Sequence, residues 1–180
     1  MRPLGLDFFQ AFEDDLERLS RFIEIAPENY STYSLELVRL LLAAGSEIDV
    51  ALKELCKLSQ PEAKPTRNID QHKKIILGDK NLIGIPKQTI EIRRFAIGLT
   101  PWKGWEADNP SWWTAYNKVK HDRAANYKMG NLGNTLNAVA ALGIIMQYVA
   151  GPSDLFVSSS MNFRGYFFSG LHLTLRMKQK

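Results

Sequence analysis

The chain has 180 residues, of which 45% are hydrophobic and 23% charged, and this composition is typical of one globular domain. A chain of this length buries roughly two thirds of its unfolded surface, so it needs neither disulfides nor a structural metal to fold. Its single cysteine, Cys56, cannot form an internal disulfide framework, which favours a reducing compartment. Composition therefore excludes disordered, collagen-like and repeat-array proteins.

The first residues contain no apolar run of the kind found in a signal peptide, because Asp7 and the acidic residues 13–15 interrupt it. The most apolar stretch, residues 132–150, carries three amide side chains and barely reaches the roughly 20 residues that a membrane span requires. We therefore predict a buried helix there, no association with a membrane, and a cytoplasmic protein.

The net charge of +4 is unevenly distributed along the chain. Residues 1–60 hold 6 Lys/Arg against 11 Asp/Glu, whereas residues 61–128 hold 13 against 7. Either the two parts pack together and partly neutralise each other, or the second part forms a basic face that attracts phosphates. The basic residues form no Lys/Arg run, which favours the first explanation.

Apolar periodicity predicts the helices of the first half of the chain. The first helix is expected to end at Pro27. A longer second helix begins at Ser31 or Ser34, both good capping residues, and ends near Leu58. After a proline-containing loop, a capping pattern predicts a short helix over residues 68–78.

An insertion of about residues 79–108 separates the second long helix from the third. Within it, alternating polar and apolar residues predict a short strand pair or an extended arm. Asn109 followed by Pro110 is a strong signal for the start of the third long helix, which is expected to run to about Lys128.

Gly130 and Gly133 separate the third helix from a fourth, which is apolar on all sides and should lie at the centre of the molecule. Residues 152–180 form a tail, in which residues 171–175 alternate like an edge strand. The predicted fold is a single, mainly α domain over residues 1–180. It is a four- to five-helix bundle with a short strand-like insertion between the second and third long helices.

All four tryptophans fall in one window that ends at the start of the third helix. If buried, they attach the insertion to the bundle; an exposed ring could instead stack on a nucleic-acid base. These residues are Trp102, Trp105, Trp112 and Trp113.

One face of the third helix has a composition that suits acid–base chemistry on RNA. Aromatic residues occupy the packing side, and the opposite side presents Asn117, Lys118 and His121 among small residues. A histidine beside a cation can act as general base on a 2′-hydroxyl while the cation stabilises phosphate charge, without a metal. The alternative is a histidine that hydrogen-bonds within the bundle or faces solvent.

Other chemistry has little support in the sequence. The three histidines, at positions 72, 121 and 172, are widely separated, and none has a second His or Cys at metal-ligand spacing. No phosphate-binding loop, dinucleotide-binding or nucleophile-elbow pattern occurs. We therefore predict no metal and no cofactor, and we expect Cys56 to pack against other residues rather than react.

Residues 113–123 have the sequence Trp113-Thr-Ala-Tyr116-Asn117-Lys118-Val-Lys120-His121-Asp122-Arg123, and they follow a long helix that carries Ser46-Glu47-Ile48-Asp49. This combination resembles the HEPN superfamily of helical domains. The resemblance covers roughly residues 31–58 and 110–150. It implies a helical bundle, often dimeric, whose nuclease members cleave RNA without a metal in a cleft between two such domains.

Carried over by position, the resemblance makes His121 the catalytic histidine, with Lys118 and Asn117 beside it. It makes Glu47 the polar group that faces the cleft, with Asp49 in support. Nuclease members have an arginine four to six residues before the histidine, which this chain lacks, so Lys118 takes its place as a point charge. The cations expected to contact nucleic acid are Lys120, Arg123 and Lys128.

The leading hypothesis is a HEPN-like ribonuclease or RNA-binding protein of defence or toxin type, acting as a homodimer. The alternative is a non-catalytic protein that uses the bundle to dimerise or to bind a partner, with His121 holding the helices together. A third hypothesis is a nucleic-acid binder without chemistry. Exposure of His121 and Lys118 in a groove, with pairing across a two-fold axis, favours the nuclease. A buried His121 whose two ring nitrogens are satisfied by backbone groups favours the non-catalytic protein.

Overall fold

Helices account for most of the described chain, which comprises residues 4–156 and 168 of a computed structural model. The helices are α1 (Leu4–Leu19), α2 (Leu35–Ser59), α3 (Ile69–Gly78), α4 (Ser111–His121), α5 (Arg123–Asn126) and α6 (Leu132–Phe156). Strands β1 (Ile90–Ile92) and β2 (Ile97–Leu99) pair antiparallel, with Ile90 opposite Leu99 and Ile92 opposite Ile97. The predicted mainly α bundle with a strand pair between its second and third long helices is confirmed.

Helix α6 is the centre of the bundle. All its residues from 138 to 146 are buried, and α1, α2 and α4 pack against it, with α2 making the most extensive contact. By length and composition alone α6 could cross a membrane, but 72% of the stretch Leu132–Ala150 is buried inside the protein. The prediction of a buried core helix is therefore confirmed.

Helix α2 follows its sequence signals closely. The Ser34 hydroxyl accepts a hydrogen bond from the Leu37 N–H at 3.2 Å, so Ser34 is the cap, and the helix ends at Ser59 beside the predicted end. The helix approaches α4 most closely at Gly45, where a Cβ atom would lie 2.3 Å from Cδ2 of Tyr116. Only glycine allows the two helices to come this close.

Helix α1 is shorter than predicted, since it ends at Leu19 and not at Pro27. The N–H groups of Arg21 and Phe22 bond carbonyl oxygens three residues back, and the Ser20 hydroxyl donates to the Glu17 carbonyl at 2.7 Å. These bonds turn the chain out of the helix, and apolar spacing alone does not reveal them.

The prediction that the third long helix runs to about Lys128 is also wrong for the second half of that range. Helix α4 ends at His121, because Asp122 leaves the helical region with φ −146° and ψ 83°. The Asp122 side chain then accepts a hydrogen bond from the Ala125 N–H at 3.1 Å and caps the short helix α5. An aspartate that caps a new helix in this way interrupts an apolar pattern that is otherwise continuous.

The tryptophans attach the insertion to the bundle, as one of the two hypotheses predicted. All four are buried, so stacking of an exposed ring on a base is excluded. Trp102 Nε1 donates to the Ala141 carbonyl of α6 at 3.2 Å, and Trp112 Nε1 donates to the Pro101 carbonyl at 2.7 Å. The ring of Trp102 lies 4.4 Å from that of Trp105 and 5.1 Å from that of Trp112.

Helix α6 continues through Pro152 to Phe156, past the predicted start of the tail. Beyond it the structure describes Phe168, which is buried and stacks on Phe9 with ring centres 6.1 Å apart. The Phe168 N–H donates to Oε1 of the buried Glu13 at 3.1 Å. The predicted edge strand over residues 171–175 lies outside the described residues.

The contact between Gly45 and Tyr116 generates a prediction about stability. Gly45→Ala should destabilise the protein by about 1–3 kcal/mol, because the new methyl group overlaps a buried ring. Gly78→Ala is the matched control, because no atom outside its chain neighbours and its own helix backbone lies within 4 Å of the Cβ position. It should be neutral or stabilise the protein by up to about 1 kcal/mol, since alanine favours a helix over glycine. Urea unfolding measures both, and a neutral or stabilising Gly45→Ala would contradict the close approach.

Glu13 generates a second prediction. Burial raises its pKa from 4.5 to about 7, although the Phe168 N–H favours the ionised form. The folded protein therefore binds this proton more tightly than the unfolded chain does, and stability falls as pH rises from about 4.5 to about 7. At pH 8, Glu13→Gln should be more stable than wild type by up to about 3 kcal/mol in urea unfolding.

The same substitution should flatten the loss of stability between pH 5 and pH 8. Glu54→Gln, which removes an exposed carboxylate from α2, is the control and should leave that loss unchanged. An identical pH dependence in wild type and Glu13→Gln would show that Glu13 is not the group responsible.

Candidate functional site

A groove of about 440 Å³ lies between α2, the start of α3 and α4. Most of its lining is polar. The cations are Arg67, Lys118 and Lys120, the amides are Asn68, Asn109 and Asn117, and the carboxylate is Asp49. Its volume lies within the range of small-ligand sites, and its lining is richer in polar groups than most of them.

Helix α4 provides the wall that sequence analysis identified. Trp113 and Tyr116 are mostly buried but also line the groove, and Lys118 on another side of the helix is exposed. Asn117 Nδ2 donates to the Trp113 carbonyl at 3.0 Å, while its Oδ1 has no hydrogen-bond donor within the described residues. Lys120 Nζ lies 5.4 Å from the centre of the Tyr116 ring, which is a cation–π distance.

The start of α3 provides the second wall. Asn68 Oδ1 accepts a hydrogen bond from the Gln71 N–H at 3.0 Å and caps the helix, as predicted. Gln71 Oε1 reaches back to the Arg67 N–H at 2.7 Å, one residue before the cap. These two bonds fix the backbone of Arg67, whose exposed guanidinium forms no ion pair in the part of the chain that the structure describes.

Helix α2 brings Asp49 into the groove, and Glu47 is not among the lining residues. Residues two apart on a helix point about 200° away from each other, so both carboxylates cannot face one site. Glu47 is half-buried elsewhere on α2, where burial raises its pKa. Asp49 pairs with Lys53 one turn along the helix. The carboxylate at this groove is thus Asp49, and not Glu47 as the resemblance implied.

The end of the insertion provides the third side of the groove. Asn109 Nδ2 lies 3.5 Å from Asp70 Oδ1, and Lys73 Nζ lies 3.4 Å from the Ala107 carbonyl oxygen. Both contacts hold residues 107–109 against α3. Asn109 Oδ1 is buried without a hydrogen-bond partner among the described residues.

His121 is not among the residues that line the groove. It is the last residue of α4, one helical turn beyond Lys118, and its side chain is exposed. Within residues 4–156 and 168 its ring forms no hydrogen bond and no ion pair. The non-catalytic hypothesis gave His121 the role of holding the helices together. An exposed ring without these contacts does not have that role.

Two of the predicted nucleic-acid contacts do not reach the groove. Arg123 begins α5 after the break at Asp122, and Lys128 lies with its Nζ 5.8 Å from the ring centre of Tyr33. Neither residue lines the groove. The break in the third helix explains why these two residues lie outside the groove, because positions predicted from one continuous helix do not apply beyond His121.

Sequence reasoning missed Arg67, Asn68 and Asn109 as site residues. The capping pattern at Asn68 and Gln71 located the start of α3 but not the helix against which that start packs. The Asn109-Pro110 signal predicts the start of α4 correctly, but Pro110 occupies the cap position and the Asn109 amide contacts α3 instead. Only tertiary packing brings Arg67 and Asn68 to α4, whereas Asn109 precedes that helix by two residues and is brought to α3.

A second group of reactive side chains lies away from the groove lining. His72 is fully buried, burial lowers its pKa, and neither ring nitrogen has a hydrogen-bond partner in the described chain. Cys56 is buried beside it, and its thiol lies 3.9 Å from the His72 carbonyl oxygen. Burial raises the pKa of Cys56 to about 11, which disfavours the reactive thiolate. Cys56 packs, as predicted.

Among the described residues, no group of three or more His, Cys, Asp or Glu side chains could hold a metal ion. Comparisons of the chain with protein-family models, with curated proteins and with solved structures find no match.

Proposed function

We propose that this protein binds RNA in the groove between α2, α3 and α4 and cleaves it without a metal, as a HEPN-like ribonuclease of defence or toxin type. The observation that carries the proposal is the charge of the groove. Arg67 and Lys118 line it without a carboxylate partner in the described chain, whereas Asp49 is already paired with Lys53. Such a groove favours a polyanion.

The neutral side chains that line the groove also suit the binding of a nucleotide chain. Amide side chains line it alongside the cations, and they can donate to or accept from the ribose and base edges. Lys118 provides a point charge for a phosphate, and Lys120 adds a second one next to the Tyr116 ring. Binding of this kind depends strongly on salt, because it releases counterions from the RNA.

The proposed reaction uses His121 as general base. Its imidazole takes the proton of a 2′-hydroxyl, and the 2′-oxygen then attacks the adjacent phosphorus as the bond to the 5′-oxygen breaks. The 5′-oxygen takes up a proton, and the products are a 2′,3′-cyclic phosphate and a 5′-hydroxyl. Lys118 stabilises the negative charge that builds on the phosphoryl oxygens in the transition state.

We further propose a homodimer in the cytoplasm, as the HEPN resemblance implies. In the proposed dimer the two α4 ends lie together, so the exposed His121 of one protomer can act as the base and that of the other can protonate the leaving oxygen. Neither a membrane nor a cofactor takes part.

A specific observation favours a second candidate function, RNA binding without cleavage. His121 lies outside the lining of the groove, so RNA held by Arg67 and Lys118 need not place a 2′-hydroxyl within reach of its imidazole. This candidate is the nucleic-acid binder without chemistry, and it is distinct from a non-catalytic protein that dimerises or binds a partner.

Cleavage of end-labelled RNA in EDTA separates these functions. His121→Ala should lower the cleavage rate by about 10²–10⁴-fold, the usual contribution of a general base, and should still bind RNA. Added imidazole should restore part of the rate, because it replaces the missing base. Lys87→Ala removes an exposed cation outside the groove lining and should cleave like wild type.

Circular dichroism must show that His121→Ala is folded for the comparison to hold. A wild-type protein that binds RNA but leaves several single-stranded and structured RNAs intact would overturn the nuclease proposal in favour of the second candidate. Equal cleavage by wild type and His121→Ala would show that another residue is the base.

A further inference from the structure

Two different segments bring cations to the groove. Arg67 comes from the residues just before α3, and Lys118 comes from the third turn of α4. The two are far apart in sequence, and neither side chain forms an ion pair within residues 4–156 and 168. Both side chains line the same groove of about 440 Å³.

The two cations have different chemistry. A lysine ammonium is a compact point charge that attracts a phosphate from many directions. An arginine guanidinium is planar and presents parallel N–H donors that match two oxygens of one phosphate. An arginine therefore orients the phosphate group as well as attracting it, provided that its own backbone is held in place.

The start of α3 holds Arg67 in this way. Its N–H donates to Gln71 Oε1 at 2.7 Å, and the Gln71 N–H is in turn fixed by Asn68 Oδ1 at 3.0 Å. The Gln71 side chain thus ties the residue before the cap to the first turn of a ten-residue helix. This bond reduces the backbone freedom that Arg67 would lose on binding a ligand.

We propose that Arg67 and Lys118 bind the same phosphate of the RNA backbone, Arg67 through two parallel N–H donors and Lys118 through its ammonium group. Gln71 is a positioning residue that acts through Arg67. This inference rests on the proposed function only in taking RNA as the ligand. It requires binding at the groove and does not require cleavage.

The test is binding of a short, fluorescently labelled 2′-O-methyl oligoribonucleotide, which cannot be cleaved through its 2′-oxygen. Arg67→Ala should weaken binding about tenfold, as expected for loss of a bidentate charged contact. The slope of log affinity against log salt concentration should become shallower by about 0.7, the value for one phosphate on a single strand. Arg67→Lys keeps the charge and should recover only part of the affinity.

Arg93→Ala is the matched control, because it removes an exposed arginine that lies between the two strands and does not line the groove. It should change the affinity by less than about twofold. Lys118→Ala should weaken binding as Arg67→Ala does.

A double-mutant cycle tests the role of Gln71. Gln71→Met keeps the length of the side chain but removes the acceptor, and it should weaken binding about threefold while Arg67 is present. In the Arg67→Ala background the same substitution should have no further effect on affinity, because its only route is through Arg67. Additive losses in the double variant would show a structural role for Gln71 and overturn its assignment.

The outcomes separate this inference from the proposed function. If wild type binds the oligonucleotide, Arg67→Ala weakens that binding and unmodified RNA is not cleaved, the two-cation site stands and the nuclease proposal falls. If Lys118→Ala loses affinity while Arg67→Ala binds like wild type, the two-cation site is overturned and the groove remains the RNA site. If wild type does not bind the oligonucleotide in low salt, both are overturned.

Discussion

The structure depends on one constraint: a helix that is apolar on every side must be covered on every side. Helix α6 meets this requirement by burying all of residues 138–146 beneath α1, α2 and α4. The insertion completes the cover, and Trp102 secures it by donating to the Ala141 carbonyl of α6. Burial of this helix and of the four tryptophan rings contributes to the apolar stabilisation of one continuous core.

Covering α6 also determines where the groove lies. Helices α2 and α4 pack on α6 and contact each other where Gly45 meets Tyr116. Their apolar sides are therefore buried in these contacts, and their polar edges remain at the surface. Helix α3 packs against α2, and the residues at its start add Arg67 to the groove. A structural requirement of the core thereby collects three cations from distant parts of the chain at one site, and none of the three has an acidic partner among the described residues. That excess of charge connects the fold to the proposed recognition of RNA.

Features that depend on nearby residues could be predicted from the sequence. The Ser34 cap, the short helix after Asn68 and the strand pair around residue 90 each leave a local signal, and each is present. The end of α1 and the break at Asp122 could not be predicted, because side-chain and turn hydrogen bonds override a continuing apolar period. For the candidate site, the composition of α4 was enough to predict Asn117, Lys118 and His121. The presence of Arg67 in the groove, and of Asp49 in place of Glu47, depends on packing between helices, which local spacing does not encode.

The most direct test of the central claim is to map where RNA binds by two-dimensional ¹H–¹⁵N NMR, titrating the labelled protein with a 2′-O-methyl oligoribonucleotide. We predict that the largest shift changes fall on the backbone amides of Arg67, Asn117 and Lys118, with a smaller change at His121, the last residue of α4. Changes that fall instead on the basic residues of the insertion, around Arg93, or no changes at low salt, would contradict the assignment of this groove as the RNA site.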